Sequence, residues 1–263
     1  IMKSEKSRGY FEITNLLDIK IIEKLNKDIS EAYEIESKKA NFGGTISGHL
    51  NCIPGSSARN LIKNIQEQTS LFEKISDFFS IDLQQYNVSI GANINLPGSH
   101  FQHMHMDSNF YEQLYILNIP LVDTNKDNGS ISIIPDSHSE PYSYIQYLLK
   151  KLYRKRVRLN QKVGSCVVRT SNLWHRGTPN RTSSIRPMIN IVFSKNKNDD
   201  IKDYLLSNLE NHPDLTGDIK FANNWYKTTF FGRIWEILTV KFPLIHSTKR
   251  IIMSLIRPVG TST

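Results

Sequence analysis

A chain of 263 residues, 39% hydrophobic and 22% charged, carries enough apolar material for one large domain and has the balance of an ordinary globular protein. No apolar run approaches the ~20 residues that cross a bilayer, residues 2–8 are polar with no leader-like stretch behind them, and the two distant cysteines form neither a disulfide framework nor a metal knuckle, so a reducing, cytoplasmic setting is expected. A formal charge of +8 attracts anions generally (phosphates, CoA esters, nucleic acid, acidic lipid) without choosing among them.

Residues 9–13 read as a short strand. Residues 18–36 read as a helix, with Ile19, Ile22, Leu25, Ile29 and Tyr33 at helical spacing and Asp18 as its N-cap. Residues 41–57 are rich in Gly, Ser and Asn and read as one long loop, of the kind that often serves as a lid. His49 lies inside it, as a surface histidine or a substrate contact. Residues 61–79 read as a second amphipathic helix with Leu61, Ile65, Leu71 and Ile75 on its apolar side. Residues 86–96 alternate: Val88, Ile90, Ala92, Ile94 and Leu96 share one face, Asn87, Ser89, Gly91, Asn93 and Asn95 the other. If the apolar face lies under the helices, Asn93 and Asn95 look inward.

Gln102-His-Met-His-Met-Asp107 is the stretch richest in chemistry. On extended backbone, residues two apart point to one side, so His103, His105 and Asp107 project together. A His and a carboxylate so placed are two corners of the 2-His-1-carboxylate set that holds iron(II) and leaves positions open for other ligands. The third corner must come from afar, and His175 in Leu-Trp-His-Arg-Gly is the candidate.

Strands are expected over residues 113–122 and 130–135, joined through the turn pair Asn128-Gly129. His138 follows, as a structural histidine at a strand end. Residues 148–162 hold Lys150, Lys151, Arg154, Lys155, Arg156, Arg158 and Lys162. Such a run is a solvated face or a collar for an anionic substrate, with Lys150 and Arg154 as candidate contacts. Nucleic acid is disfavoured as a partner, since no aromatic interleaving accompanies the charge. Strands at 165–174 and 185–193 flank a turn-rich segment, 178–184. A hairpin folded about Asn180 and Arg181 would set His175 opposite Arg186, with Cβ atoms roughly 5 Å apart. Arg186 would then grip a carboxylate beside the metal, as a guanidinium does through two parallel hydrogen bonds. From residue 199 a helix to 209, a turn at His212-Pro-Asp, an aromatic-rich stretch over 221–240 and a basic helix over 248–256 are expected. They would pack on the sheet, pair two copies as a homodimer, cover a greasy substrate or touch a membrane surface.

Taken in order, His105-Met-Asp107, Asp127-Asn-Gly-Ser-Ile-Ser-Ile-Ile-Pro-Asp-Ser-His138, and His175 with Asn180 and Arg186 resemble the phytanoyl-CoA dioxygenase family. The resemblance runs over about residues 86–194, with a matching start at Gly9-Tyr-Phe-Glu-Ile. It departs at Asp136, where Gly is usual in Pro-Gly-Ser-His. It implies a mainly β protein with flanking helices: a double-stranded β-helix, the jelly-roll or cupin-like barrel. Residues 1–198 would form the barrel with its N-terminal helices, and 199–263 a C-terminal helical extension. It further implies Fe(II) held by His105, Asp107 and His175, and 2-oxoglutarate held by Arg186. Asn95 is favoured over Asn93 as a further co-substrate contact, with Gln102 as a weaker candidate. O2 would be consumed and a small molecule hydroxylated, for preference an anionic or lipid-like one. Halogenating relatives lack the carboxylate that Asp107 supplies, which speaks for hydroxylation. Two rival readings stay open: a cupin-type metal enzyme using His103 with His105 and no 2-oxoglutarate, and a barrel that binds without catalysis.

Overall fold

The computed structural model describes residues 8–39, 42–45, 47–108, 110–112, 114–141, 154–195, 205–222 and 230–241, with isolated positions 146, 149, 248 and 252. Its strands are β1 (Tyr10–Ile13), β2 (His49–Ile53), β3 (Tyr86–Asn95), β4 (Leu114–Pro120), β5 (Ile131–Ile133), β6 (Val157–Leu159), β7 (Cys166–Thr170), β8 (His175–Arg176), β9 (Arg186–Lys195) and β10 (Lys220–Phe221). The helices are α1 (Ile19–Glu36), α2 (Arg59–Gln66), α3 (Thr69–Phe79) and α4 (Phe230–Lys241).

Seven strands form one sheet in the order β1-β7-β4-β9-β3-β2-β10, and three form a second in the order β6-β5-β8. Each pairing between these strands is antiparallel. This is a double-stranded β-helix whose two sheets face each other without closing into a barrel. Period-two alternation divides the large sheet cleanly. Its outer face carries Leu50, Cys52, Val88, Ile90, Ala92, Ile94, Leu117, Ile119, Ile189, Ile191 and Phe193, all buried against Ile22, Leu25 and Ile29 of α1, Leu61, Ile62 and Ile65 of α2, and Leu71 and Ile75 of α3. Fully burying one such side chain stabilises the fold by about 1.5–3 kcal/mol. The helices therefore occupy the outside, and the inner face is left for the site. Between the sheets a smaller cluster forms from Ile131, Ile133, Leu159, Val167, Leu173 and Met188.

Several local expectations are corrected. The loop at 41–57 contains a strand, β2, whose Leu50 and Cys52 face the helices while His49 and Asn51 face inward. The single helix at 61–79 is two, because Gln68 leaves helical geometry at φ −88°, ψ 66°. The spacing of six between Ile65 and Leu71 would set them about 120° apart on a straight helix. The break lets both face the sheet. The hairpin about Asn180 is not formed. β8 pairs with β5 in the small sheet, placing His175 opposite Ile133. β9 lies between β3 and β4 in the large sheet, placing Arg186 opposite Asn95. The turn crosses from one sheet to the other.

After residue 198 the described segment is not purely helical. Leu206–Asn211 and Pro213–Leu215 are 3-10 turns and β10 adds an edge strand beside β2. Leu206, Leu209 and Leu215 join the main core, and His212 Nε2 lies 2.9 Å from the Val88 carbonyl. α4 exposes Phe230, Phe231, Ile234 and Ile237. Among the described residues no helix is long and apolar enough to cross a membrane. The basic helix expected over 248–256 falls almost wholly outside the described residues.

Candidate metal centre

Residues 101–108 are extended rather than a regular strand, and they are fastened to β8 at His105 and to Ser171, just past β7, at Asp107. His105 and His175 exchange two backbone hydrogen bonds of 2.9 Å, and Asp107 N–H donates to the Ser171 carbonyl at 2.9 Å. Met104 and Met106 alternate away, buried with Ile134 and Trp174. That leaves His105 and Asp107 on the side of His175, and their ligand atoms lie within 4.8 Å of one another.

Asp107 Oδ1 is 3.6 Å from His105 Nε2 and 3.4 Å from His175 Nε2. These are long for direct hydrogen bonds. Atoms sharing one first-row ion at about 2.0–2.2 Å, at angles somewhat above 90°, lie about 3.0–3.5 Å apart. The rings are aimed for that task. His105 Nδ1 lies 2.7 Å from the His103 carbonyl and His175 Nδ1 2.9 Å from that of Leu173. Each Nδ1 donates to its carbonyl, which turns Nε2 toward the centre as the ring atom left to bind a metal. His103 is thus represented at the cluster by its carbonyl, and its ring is not one of the three donors.

Asp107 Oδ2 is bound by Arg169 Nη2 at 2.7 Å. Burial would raise the Asp107 carboxyl, but the His175 ring, the Arg169 guanidinium and His105 hold it well below the ordinary carboxylate range. Arg169 is itself oriented. Its Nε donates to Asn118 Oδ1 at 3.0 Å, and Asn118 Nδ2 donates to Asn190 Oδ1 at 2.6 Å. Arg169 was not anticipated, although a lone Arg in the apolar run Cys166-Val-Val-Arg-Thr170 was visible in the sequence.

The triad opens onto a cavity of about 420 Å³ between the sheets. Its walls include Leu114, Ile116 and Ile131, the amides Asn51, Asn93, Asn118 and Asn190, and both Arg169 and Arg186. Asp107 is the one acid among these described lining residues, and Arg169 already neutralises it. Arg186 is 2% exposed, and among the described residues its one hydrogen bond runs from Nη2 to the Gly129 carbonyl at 3.1 Å, with Nε and Nη1 buried without a partner. Burial lowers its pKa to about 10, which leaves it charged at neutral pH. Among the described lining residues no free carboxylate pairs with it, and a buried cation so placed is costly, a cost that an anion in the cavity would offset.

The remaining candidates divide. Asn93 lines the cavity and donates to Asn51 Oδ1 at 2.9 Å. Asn95 does not line it, contrary to the preference for Asn95 over Asn93. Its Nδ2 donates to the Thr178 carbonyl at 2.8 Å, and its Oδ1 accepts from Ser99, so the side chain clasps two loops. Gln102 reaches the wall, with Oε1 accepting from Gly177 N–H at 2.7 Å. His49, expected on a loop surface, is 1% exposed and lines the cavity. Arg154 is ion-paired to Glu140 at 3.2 Å, away from the cavity, so it is not a substrate contact there. Lys150 lies outside the described residues. His138 packs its ring against Gly9, where a Cβ would meet Nδ1 at 2.4 Å, consistent with a structural role.

Several solved structures share this fold. The non-heme alpha ketoglutarate dependent carbocyclase SnoK from nogalamycin biosynthesis superposes with a TM-score of 0.58 at 14% identity, over 74% of this chain and 82% of that one. The epimerase SnoN, in complex with Fe3+, alpha ketoglutarate and nogalamycin RO, gives 0.57 at 14% identity, over 74% and 83%. EvdO2 from Micromonospora carbonacea var. aurantiaca, complexed with 2-oxoglutarate, gives 0.53 at 13% identity, over 74% and 89%. At such identities the likeness speaks for the fold. The sequence itself goes further, because the profile of one family, phytanoyl-CoA dioxygenase (PhyH), matches residues 6–188, a span that takes in the triad and Arg186 together. This chain is a member of the phytanoyl-CoA dioxygenase family.

Proposed function

We propose that the protein is an Fe(II)- and 2-oxoglutarate-dependent dioxygenase that hydroxylates a small molecule, converting 2-oxoglutarate and O2 to succinate and CO2 as one oxygen atom enters the substrate. The observation that carries this reading is the pairing, in one cavity, of a three-donor cluster with a buried guanidinium that has two nitrogens without a partner among the described residues. A diacid that chelates a metal at one end and presents a carboxylate at the other satisfies both. SnoN and EvdO2 have each been crystallised with this diacid.

His105, Asp107 and His175 would hold the iron on one side, leaving its cavity side open. When bound, iron supplies the redox chemistry that couples O2 reduction to decarboxylation of the co-substrate and oxidation of the substrate. The chain supplies position. Arg169 fixes Asp107 with its Oδ1 toward the histidines, and the two carbonyls at Nδ1 fix the rings. Arg186 orients the diacid. His105 and Asp107 are the more accessible ligands, with side chains 28% and 30% exposed against 7% for His175, so substrate approaches from their side. Amides alternating with Leu114, Ile116 and Val192 suit a substrate of mixed polarity.

Succinate formation from 2-oxoglutarate by the Fe(II)-loaded protein tests the class, and Arg186→Ala should raise the 2-oxoglutarate requirement at least tenfold. Absence of succinate under every substrate offered, together with absence of 2-oxoglutarate binding, would overturn the reading. Ring closure and epimerisation, named for SnoK and SnoN, are the outcomes to separate from hydroxylation. A product heavier by one oxygen atom identifies the last.

A further inference from the structure

Resting on the reading above, we infer that His49 is the second arm of the 2-oxoglutarate site, a neutral side chain that donates a hydrogen bond from Nε2 to the carboxylate that Arg186 grips by charge. The register places it there. His49 pairs with Asn95 across β2 and β3, and Asn95 pairs with Arg186 across β3 and β9. Directly paired residues of antiparallel strands project from the same face. His49 and Arg186 therefore flank Asn95 in one row on the inner face, both against the cavity.

The ring is 1% exposed, yet among the described residues its Nε2 is buried with no hydrogen-bond partner. Such a group is costly to bury unless something satisfies it. Its imidazole edge lies so close to Gly177 that a Cβ there would stand 2.2 Å from Cε1 and 2.8 Å from Nε2. Gln102 Oε1, beside the same glycine, accepts from the Gly177 N–H at 2.7 Å and makes no hydrogen bond to the ring Nε2 among the described residues. Burial and the nearby Arg186 charge outweigh the Asn93 side chain and the His100 backbone, which act the other way, and lower the His49 pKa to about 4, so the ring is uncharged at neutral pH and does not repel the guanidinium. One charged and one neutral donor match a single carboxylate with two oxygens.

The test is an anaerobic titration of the Fe(II)-loaded protein with 2-oxoglutarate, read by the absorption of the metal–chelate complex, with iron content measured in parallel. His49→Ala should weaken 2-oxoglutarate about tenfold or more, the loss of one hydrogen bond to a charged group. His49→Gln, which keeps a donor, should restore most of the affinity. 2-Oxopentanoate keeps the chelating end and lacks the far carboxylate, so wild type and both variants should bind it equally. Unchanged 2-oxoglutarate affinity in His49→Ala at normal iron content would overturn the inference and leave the enzyme class standing. So would an equal loss for 2-oxopentanoate, which would mark His49 as a shape element. Failure of wild type to bind 2-oxoglutarate at all would remove both.

Discussion

Arg169 shows how a single residue governs the centre without being a ligand to it. Its guanidinium takes Asp107 Oδ2 and leaves Oδ1 facing the two Nε2 atoms. Removing it frees the carboxylate to rotate and takes away the cation that pairs with Oδ2. Arg169→Met should lower iron affinity about 10- to 100-fold, the usual consequence of losing a group that orients a metal ligand. Arg169→Lys should recover part of it. Metal analysis after dialysis against graded chelator reads the difference, and equal iron retention in Arg169→Met and wild type would contradict the role. His49 gives a second residue-scale expectation, now for stability. Its folded pKa of about 4 lies below the unfolded value near 6.5. Below pH 6.5 the unfolded chain takes up a proton that the folded one refuses, so stability falls as pH drops toward 4 and the loss levels off beneath it. His49→Gln should therefore lose less stability than wild type between pH 7 and pH 4.5 in urea titrations of the metal-free protein. A variant with the same pH slope as wild type would place the acid sensitivity elsewhere.

Among elements, β2, β3 and β9 show both what could be read and what could not. The alternation of β3 and β9 was visible because their outward positions are uniformly apolar: Val88, Ile90 and Ile94, then Ile189, Ile191 and Phe193. β2 alternates too, but over five residues among glycines and serines, where turn chemistry outweighs a short pattern. The triad was legible because residue types with metal-binding chemistry recur at a spacing that extended backbone converts into a shared face. The approach of Arg186 to it was anticipated for the wrong reason. Local sequence marks a turn at 178–184 but carries no information on which sheet each flanking strand joins, and the chain changes sheets there. Asn95 was misplaced for a related reason. Its inward face was evident, whereas Thr178 and Ser99, which occupy it, come from distant loops. Gly129 belongs to the same clasp, with φ +86° and its carbonyl accepting from Arg186. A Cβ at 129 would stand 1.9 Å from Asn95 Nδ2. Gly129→Ala should destabilise the fold by about 1–3 kcal/mol, the range for a strained or overpacked site, and should weaken 2-oxoglutarate binding through the carbonyl it displaces. A wild-type urea midpoint for this variant would show that the loop absorbs the methyl. Asp136 at φ +64° explains the departure noted in the motif, since the position is left-handed and Asp tolerates it better than most residues.

For the molecule as a whole, the centre lies at the seam of the two sheets. His175 comes from the small sheet, Arg186 and Arg169 from the large one, and His105 with Asp107 from a segment fastened to β8 and Ser171. The large sheet has three helices and most of the core behind it, whereas the small sheet is anchored by a cluster of six buried side chains. Stability is therefore uneven, with the small sheet and residues 101–108 the regions expected to open first. A bound metal and diacid would join both sides. A ligand that binds only the folded state stabilises by about 2.7 kcal/mol at a hundredfold excess over its dissociation constant. Fe(II) and 2-oxoglutarate together should raise the melting temperature of the wild type, and neither should do so in His105→Ala. Hydrogen exchange locates the effect. Added protection should concentrate at 101–108, 131–133 and 175–177, where the seam closes, while α1 to α3 stay as they were. Protection spread evenly over the helices instead would mean that ligand binding tightens the already rigid half of the molecule, and the seam would not be where the two sheets are coupled.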